Sequence, residues 1–310
     1  MHIHPLRALD PVSERLLRTR AEHRDRDPDE SVASIRAALA AGRIEAAALL
    51  DDDETAHGIA AWRWSDRERT YAQVLFLYTP RDADPDHSAL LVDHIVTTLT
   101  ATPDLRVIEA RLRDEAPGIR PAWRNHDFVI FERCRVRRSL SHDTLLPIIP
   151  IPNGYHVVPW RTQHNAQAEA IATNAHRGGV EPVAVPNMMQ HHLATLRSAR
   201  TGPDWSAEAS SIALDKQNQV VGYVAVTRSD ETATILDLAV DPAHQDRGLA
   251  GALLIRTMRI CLHQGIPAIT AVFTMQNPIQ LLFNRLSFHP VDCGQIAVWW
   301  YDKRQLEWLT

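Results

Sequence analysis

Seven consecutive residues, Gln245-Asp246-Arg247-Gly248-Leu249-Ala250-Gly251, have the types and spacing to hold a phosphate. Small residues at 248, 250 and 251 let a ligand approach the backbone closely. Ala250, Ala252, Leu253, Leu254 and Met258 recur at helical spacing, so the turn feeds straight into a helix. A helix start leaves several N–H groups unpaired, and the helix dipole adds partial positive charge there. Upstream, 234–240 reads as a strand closed by Asp241-Pro242. Asp237 is its one carboxylate. With Leu236 and Leu238 directed to the core, strand alternation turns Asp237 towards the face where a substrate would enter, as candidate general base. The structural alternative is an ion pair with an arginine on a neighbouring strand. Glu208 and His176 stand in reserve as bases, and a water chain would need no single one.

A Walker-type loop would end in Gly-Lys-Ser/Thr, and the chain has two lysines, Lys216 and Lys303, neither placed for it. A dinucleotide fingerprint needs glycines at other spacings. What fits is Leu238-Ala239-Val240-Asp241-Pro242 followed by Gln245-x-x-Gly248-x-Ala250. This resembles the coenzyme A pyrophosphate loop of the GNAT superfamily of N-acetyltransferases. The resemblance implies acetyl-coenzyme A as co-substrate, held by residues 245–251. It also implies that the pantetheine arm bonds to free backbone at Leu238, Ala239 and Val240. The family's later pattern, Asn then Leu-Tyr-x-x-x-Gly-Phe, corresponds to Asn277 and Leu282-Phe283-Asn-Arg-Leu-Ser287-Phe288. Asn277 and Phe283 therefore join the expected cofactor set. The tyrosine that would protonate the departing thiolate is Phe283, which cannot donate a proton.

At 310 residues the chain suits two domains of about 150. Hydrophobic content of 45% with 23% charged residues describes two buried cores and a solvated surface. A net charge of −5 argues against a nucleic-acid surface, and the absence of an eighteen-residue apolar run argues against a membrane span. Cytoplasmic is the default compartment, and monomer or weak homodimer the expected state. Cys134, Cys261 and Cys293 are odd in number and far apart, which indicates neither a disulfide framework nor a zinc site. Sixteen histidines are scattered, with the one adjacent pair, His191-His192, turned to opposite sides of any helix. No metal is expected.

The elements read in order as helices at 11–22 and 31–41, then strands at 46–50, 57–64 and 71–78. A helix follows at 88–100, a strand at 107–112, a helix at 120–125 and a strand at 127–137. The proline-bearing stretch 139–153 reads as a linker. After it come a strand at 155–160, a helix at 162–176, a mixed region at 177–206 and a hairpin of 208–214 with 220–227. The loop unit, a strand at 268–273, a helix at 278–286 and a last strand at 295–301 complete the chain. The two halves repeat: Gly58 matches Gly222, Tyr78-Thr79-Pro80 matches Val240-Asp241-Pro242, and Trp123 to Phe128 matches Phe283 to Phe288. The offsets of 164, 162 and 160 residues drift as loop lengths would make them.

The expected fold is therefore α/β (α+β), two tandem GNAT-like domains, each a mixed, mostly antiparallel sheet flanked by helices. The expected boundaries are 1–138, a linker at 139–153, and 154–310. In the first half the loop position reads Arg81-Asp-Ala-Asp84-Pro85-Asp86, which would repel a pyrophosphate, so that half is expected to lack coenzyme A and to wall off the acceptor site. The resemblance implies transfer of acetyl to a primary amine of a small molecule by the second half. Arg177, Glu181, His191 and Trp205 are candidates for the acceptor pocket. Two alternatives stand beside this reading: a non-catalytic acyl-coenzyme A-binding or interaction module, and a tandem-GNAT enzyme of the mycothiol synthase type, whose layout is similar.

Overall fold

The computed structural model describes residues 1–304 except 25, 113–117, 142, 178, 187, 230 and 303, with backbone alone at 188–191. The chain divides into two compact units, residues 1–131 with 294–310, and residues 132–293. The expected boundaries are linear; the observed ones are not, because the final strand lies in the first unit.

In the first unit β1 (His2–Leu6) precedes α1 (Pro11–Glu22) and α2 (Pro28–Ala40). Strands β2 (Glu45–Leu50), β3 (Ala56–Trp64) and β4 (Tyr71–Tyr78) lead to α3 (Pro85–Thr100), β5 (Val107–Leu112) and α4 (Ile119–Asn125). Asp10, Asp27 and Asp84 cap the first three helices, and each helix starts on proline, which has no N–H to leave unpaired. The sheet buries both faces: Leu17, Val32 and Leu39 pack on Ile59 and Phe76, while Leu91, Ile95 and Trp123 pack on Ala60, Leu77 and Ile108. β4 and β5 pair in parallel at Tyr71–Val74 and then part.

The second unit takes up residues 132–139 of β6 (Val129–Ser139), then β7 (His156–Pro159) and α5 (Asn165–His176). The mixed region resolves into α6 (Val180–Ala184) and α7 (Met188–Thr201). Strands β8 (Ser211–Leu214), β9 (Val220–Arg228) and β10 (Ala233–Val240) form antiparallel neighbours. They are followed by α8 (Leu249–His263), β11 (Ala268–Thr274), α9 (Ile279–Arg285) and β12 (His289–Trp300). One face packs under α8 through Leu253, Leu254, Met258 and Phe273; the other packs under α5 and α7 through Ile171, Leu196 and Tyr223. The expected linker is not free chain. Leu140 is buried in the second unit's core, and Leu146 and Ile149 pack against it.

From Gln295 to Trp300, β12 pairs antiparallel with β5 of the first unit. β6, whose sequence closes the first half, pairs with β11 of the second. Each half thus gives its last strand to the other unit. Cys134 and Cys293 form a disulfide inside the second unit, which corrects the expectation of none: the partners are separated by 159 residues in sequence, a distance that spacing cannot reveal. Among the described residues no helix is long and apolar enough to cross a membrane.

Candidate functional site

β10 is paired with β11 at Ala233, Thr234 and Ile235 and, among the described residues, with no strand on that side beyond. The strands splay, and the backbone from Leu236 to Val240 has a free edge, as the family resemblance implies for Leu238, Ala239 and Val240. On its other side β10 stays paired to β9, with a bulge between Ile235 and Asp237. The bulge breaks the alternation assumed from sequence. Leu238 packs on the α8 side, whereas Leu236 packs on the α5–α7 side, the same side on which Asp237 finds its partners.

The glycine turn leads into α8 where the sequence pattern places it. Gly248 has φ +82° and is the N-cap of α8 without a side-chain cap, and Asp246 also takes a positive φ of 58°. A Cβ on Gly248 would meet nothing within 4 Å, so the surface at the N-cap is open, whereas one on Gly251 would be 3.2 Å from Ile149. Gln245 and Arg247 brace this loop. Gln245 Nε2 donates to the Val240 carbonyl at 3.0 Å. Arg247 donates to the Tyr155 hydroxyl at 2.8 Å and to the Ala243 carbonyl at 3.1 Å. Leu249 is a core residue, 1% exposed. What is exposed is therefore the turn from Asp246 to Gly248 at the uncapped start of the helix.

Asp237 is buried and sits among three partners. His176 Nε2, at the end of α5, is 3.1 Å from Oδ1. His192 Nε2, on α7, is 2.8 Å from Oδ2 but not aligned for a hydrogen bond. The Tyr223 hydroxyl, on β9, donates to Oδ2. Burial alone would raise the Asp237 carboxyl; the two imidazoles outweigh it and hold the group far below the usual carboxylate range. Burial likewise opposes charge on His176, yet the hydrogen bond and charge of Asp237, with the charge of Glu181, raise it above its ordinary value. Burial and the Asp237 charge push the Tyr223 phenol well up. An arginine partner for Asp237, the structural alternative, is replaced by two histidines.

The remaining candidates divide. Glu181 is buried and accepts from the Thr274 amide at 2.6 Å and the Asn277 side chain at 3.3 Å, and it pairs with Arg133. Asn277 caps α9 through the Ile279 amide at 3.0 Å. Phe283 is 3% exposed and packs between Phe273 and Phe288, so it is a core ring rather than one laid on a ligand. Glu208 is turned to Gln264 at the far end of α8. Trp205 stacks edge-on with Trp160, and Arg177 is exposed. The His191 side chain lies outside the described residues. Sequence reasoning missed His192, because three segments meeting at one carboxylate leave no spacing motif. A groove of about 560 Å³ runs beside this site, lined by Ala194, Thr195, Ser198, Asp204, Thr227 and Leu236.

In the first unit, Asp84 accepts from the Asp86 amide at 3.0 Å, and a Cβ on Gly118 would be 2.9 Å from Pro85. The α3 start is capped and covered where the α8 start is bare.

Residues 189–288 match the acetyltransferase (GNAT) family model. Comparison with curated proteins finds no match. Among solved structures, a GCN5-related N-acetyltransferase from Sphaerobacter thermophilus superposes with a TM-score of 0.60 at 16% identity, covering 96% of this chain and 95% of that one. The GCN5-related glucosamine N-acetyltransferase region of a fungal multi-domain GH3 β-N-acetylglucosaminidase gives 0.52 at 8% identity, covering 83% of this chain and 33% of that one. A tandem GNAT protein from the clavulanic acid biosynthesis pathway gives 0.48 at 15% identity, covering 96% and 98%.

Proposed function

We propose that the second unit, whose residues 189–288 match the acetyltransferase (GNAT) family model, transfers acetyl from acetyl-coenzyme A to a primary amine of a small molecule. The observation that carries this reading is the splayed β10 edge running directly into the uncapped α8 start, with Asp237 and its histidines on the same strand. The amides of 246–251 receive the pyrophosphate, and the free edge of 236–240 receives the pantetheine and polarises the thioester carbonyl.

Asp237 is a positioning residue in this scheme. It accepts the Nε2 proton of His176, fixing the tautomer that leaves a lone pair on Nδ1. That nitrogen takes the proton of the acceptor ammonium. The free amine attacks the carbonyl, a tetrahedral adduct forms, the C–S bond breaks to release coenzyme A as thiolate, and the surplus proton on the amide nitrogen passes to solvent. A thiol of ordinary pKa near about 8.5 leaves without obligatory protonation, so the phenyl ring at 283 is no obstacle. The groove beside Leu236, with the exposed carboxylate of Asp204, is suited to guide a cationic amine inward. The capped and covered α3 start supports a single coenzyme A site per chain.

The test is calorimetric titration with acetyl-coenzyme A, followed by thiol release over a panel of amines. One equivalent bound with amine-dependent release is the expected outcome; two equivalents would refute the single site, and binding without release would favour a non-catalytic module.

A further inference from the structure

His176, His192 and Asp237 arrive from α5, α7 and β10, and their ligating atoms fall within 4.8 Å of one another. The two nitrogen-to-oxygen separations are 3.1 and 2.8 Å. Ligands on a tetrahedral zinc ion at about 2.0–2.1 Å stand roughly 3.3 Å apart, so these atoms already have nearly the spacing of a coordination sphere. Two imidazoles and one carboxylate are a donor set for first-row divalent cations. His192 provides an independent sign: its Nε2 is buried and makes no aligned hydrogen bond although a carboxylate oxygen is 2.8 Å away. The Tyr223 hydroxyl anchors that carboxylate from behind, as outer hydrogen bonds orient metal ligands. The charge of Glu181 also reaches His176 and favours a cation.

We propose that this cluster binds a divalent transition-metal ion of the zinc class and that its occupancy switches acetyl transfer off. The regulatory half rests on the reading of His176 as base. Without metal, Nε2–H faces Asp237 and Nδ1 holds the lone pair. A cation takes the Nε2 lone pair: the Nε2 proton passes to solvent, Nδ1 takes one proton back from solvent, and the neutral ring is left with its single proton on Nδ1. The base is lost, while the phosphate loop is untouched.

The test uses the full-length chain stripped with EDTA and titrated first with cobalt(II), then with zinc. The expected result is one cobalt per chain with a visible spectrum of nitrogen and oxygen ligands, displaced by zinc. His192→Gln and Asp237→Asn each weaken metal binding at least about tenfold, with folding of each variant checked by circular dichroism. Zinc lowers amine-dependent thiol release at least about tenfold, EDTA restores it, and acetyl-coenzyme A affinity is unchanged. Two variants keep the result decisive if one fails to fold. A cobalt spectrum unchanged by both His192→Gln and Asp237→Asn would place the metal elsewhere and overturn the proposal. So would no cobalt spectrum, or binding that leaves transfer unchanged. A His192-dependent spectrum in a chain that acetylates no amine would uphold the cation site and sink the base assignment alone.

Discussion

Asp237 meets His176, His192 and Tyr223, side chains carried on three other elements. Replacing it with asparagine keeps the shape but returns an amide to His176, so the ring can be held in the wrong tautomer. Asp237→Asn is expected to lower the rate of thiol release by about 10²–10⁴, the range of general base catalysis, with acetyl-coenzyme A affinity unchanged. Steady-state kinetics beside calorimetry checks both. An unchanged rate would leave Asp237 with a structural role and return the base to a water chain. The sequence motif placed Phe283 in the cofactor set, but an apolar ring at that point of α9 is better satisfied between Phe273 and Phe288.

At the level of elements, periodicity served well for long segments and failed where backbone irregularity intervened. α1, β4 and β5 lie where the pattern places them, and the glycine turn before α8 is the turn expected. The bulge after Ile235 was invisible, since no residue type demands it, and it moved Leu236 to the α5–α7 face. The open α8 start yields a direct prediction. Gly248→Glu places a carboxylate where the pyrophosphate is expected and also forces a side chain into φ +82°, at about 1–2 kcal/mol. Acetyl-coenzyme A affinity is expected to fall at least about tenfold, whereas Gly248→Ala shares the strain without the charge and retains more of the affinity. Equal losses in calorimetry would reduce the effect to backbone strain. The α5–α7 pair is held by Glu169 on α5, which Arg197 and Arg200 of α7 flank, each at 2.6 Å. The Arg197 hydrogen bond, opposed by burial and aided by Arg200, lowers the Glu169 carboxyl to about 2. A depressed folded value means the contribution is present above the unfolded pKa, near about 4.3, and is lost as pH falls through the folded one. In urea titrations the gap between wild type and Glu169→Gln should be full at pH 7 and close between roughly pH 4 and 2. A gap independent of pH would show that the charge pair does not stabilise this helix packing.

For the molecule as a whole, the repeat was legible and the exchange of strands was not. Gly58 and Gly222 each abut the end of the next strand, where a Cβ would come within 3.2 Å of the Tyr78 carbonyl and 3.0 Å of the Ala239 carbonyl. Trp123 meets Phe128 at 4.6 Å as Phe283 meets Phe288 at 4.8 Å. Such pairs follow from residue types at matching offsets. Which sheet a terminal strand joins is a long-range pairing choice that local pattern does not encode, since β6 and β12 both follow a short helix and both read simply as closing strands. The consequence is open to a deletion test. Ending the chain after Cys293 removes the strand that covers β5 in the first unit, where Ala297 and Val298 are fully buried. β5 then becomes an uncovered edge, and the first unit is expected to lose its cooperative unfolding and its resistance to protease. The second unit keeps β6 against β11, the Cys134–Cys293 disulfide and the α8 loop, so residues 132–293 are expected to survive digestion and still bind acetyl-coenzyme A. Linear domains predict the reverse, because the deleted strand would then belong to the second half. Mass spectrometry of the surviving fragment separates the two outcomes.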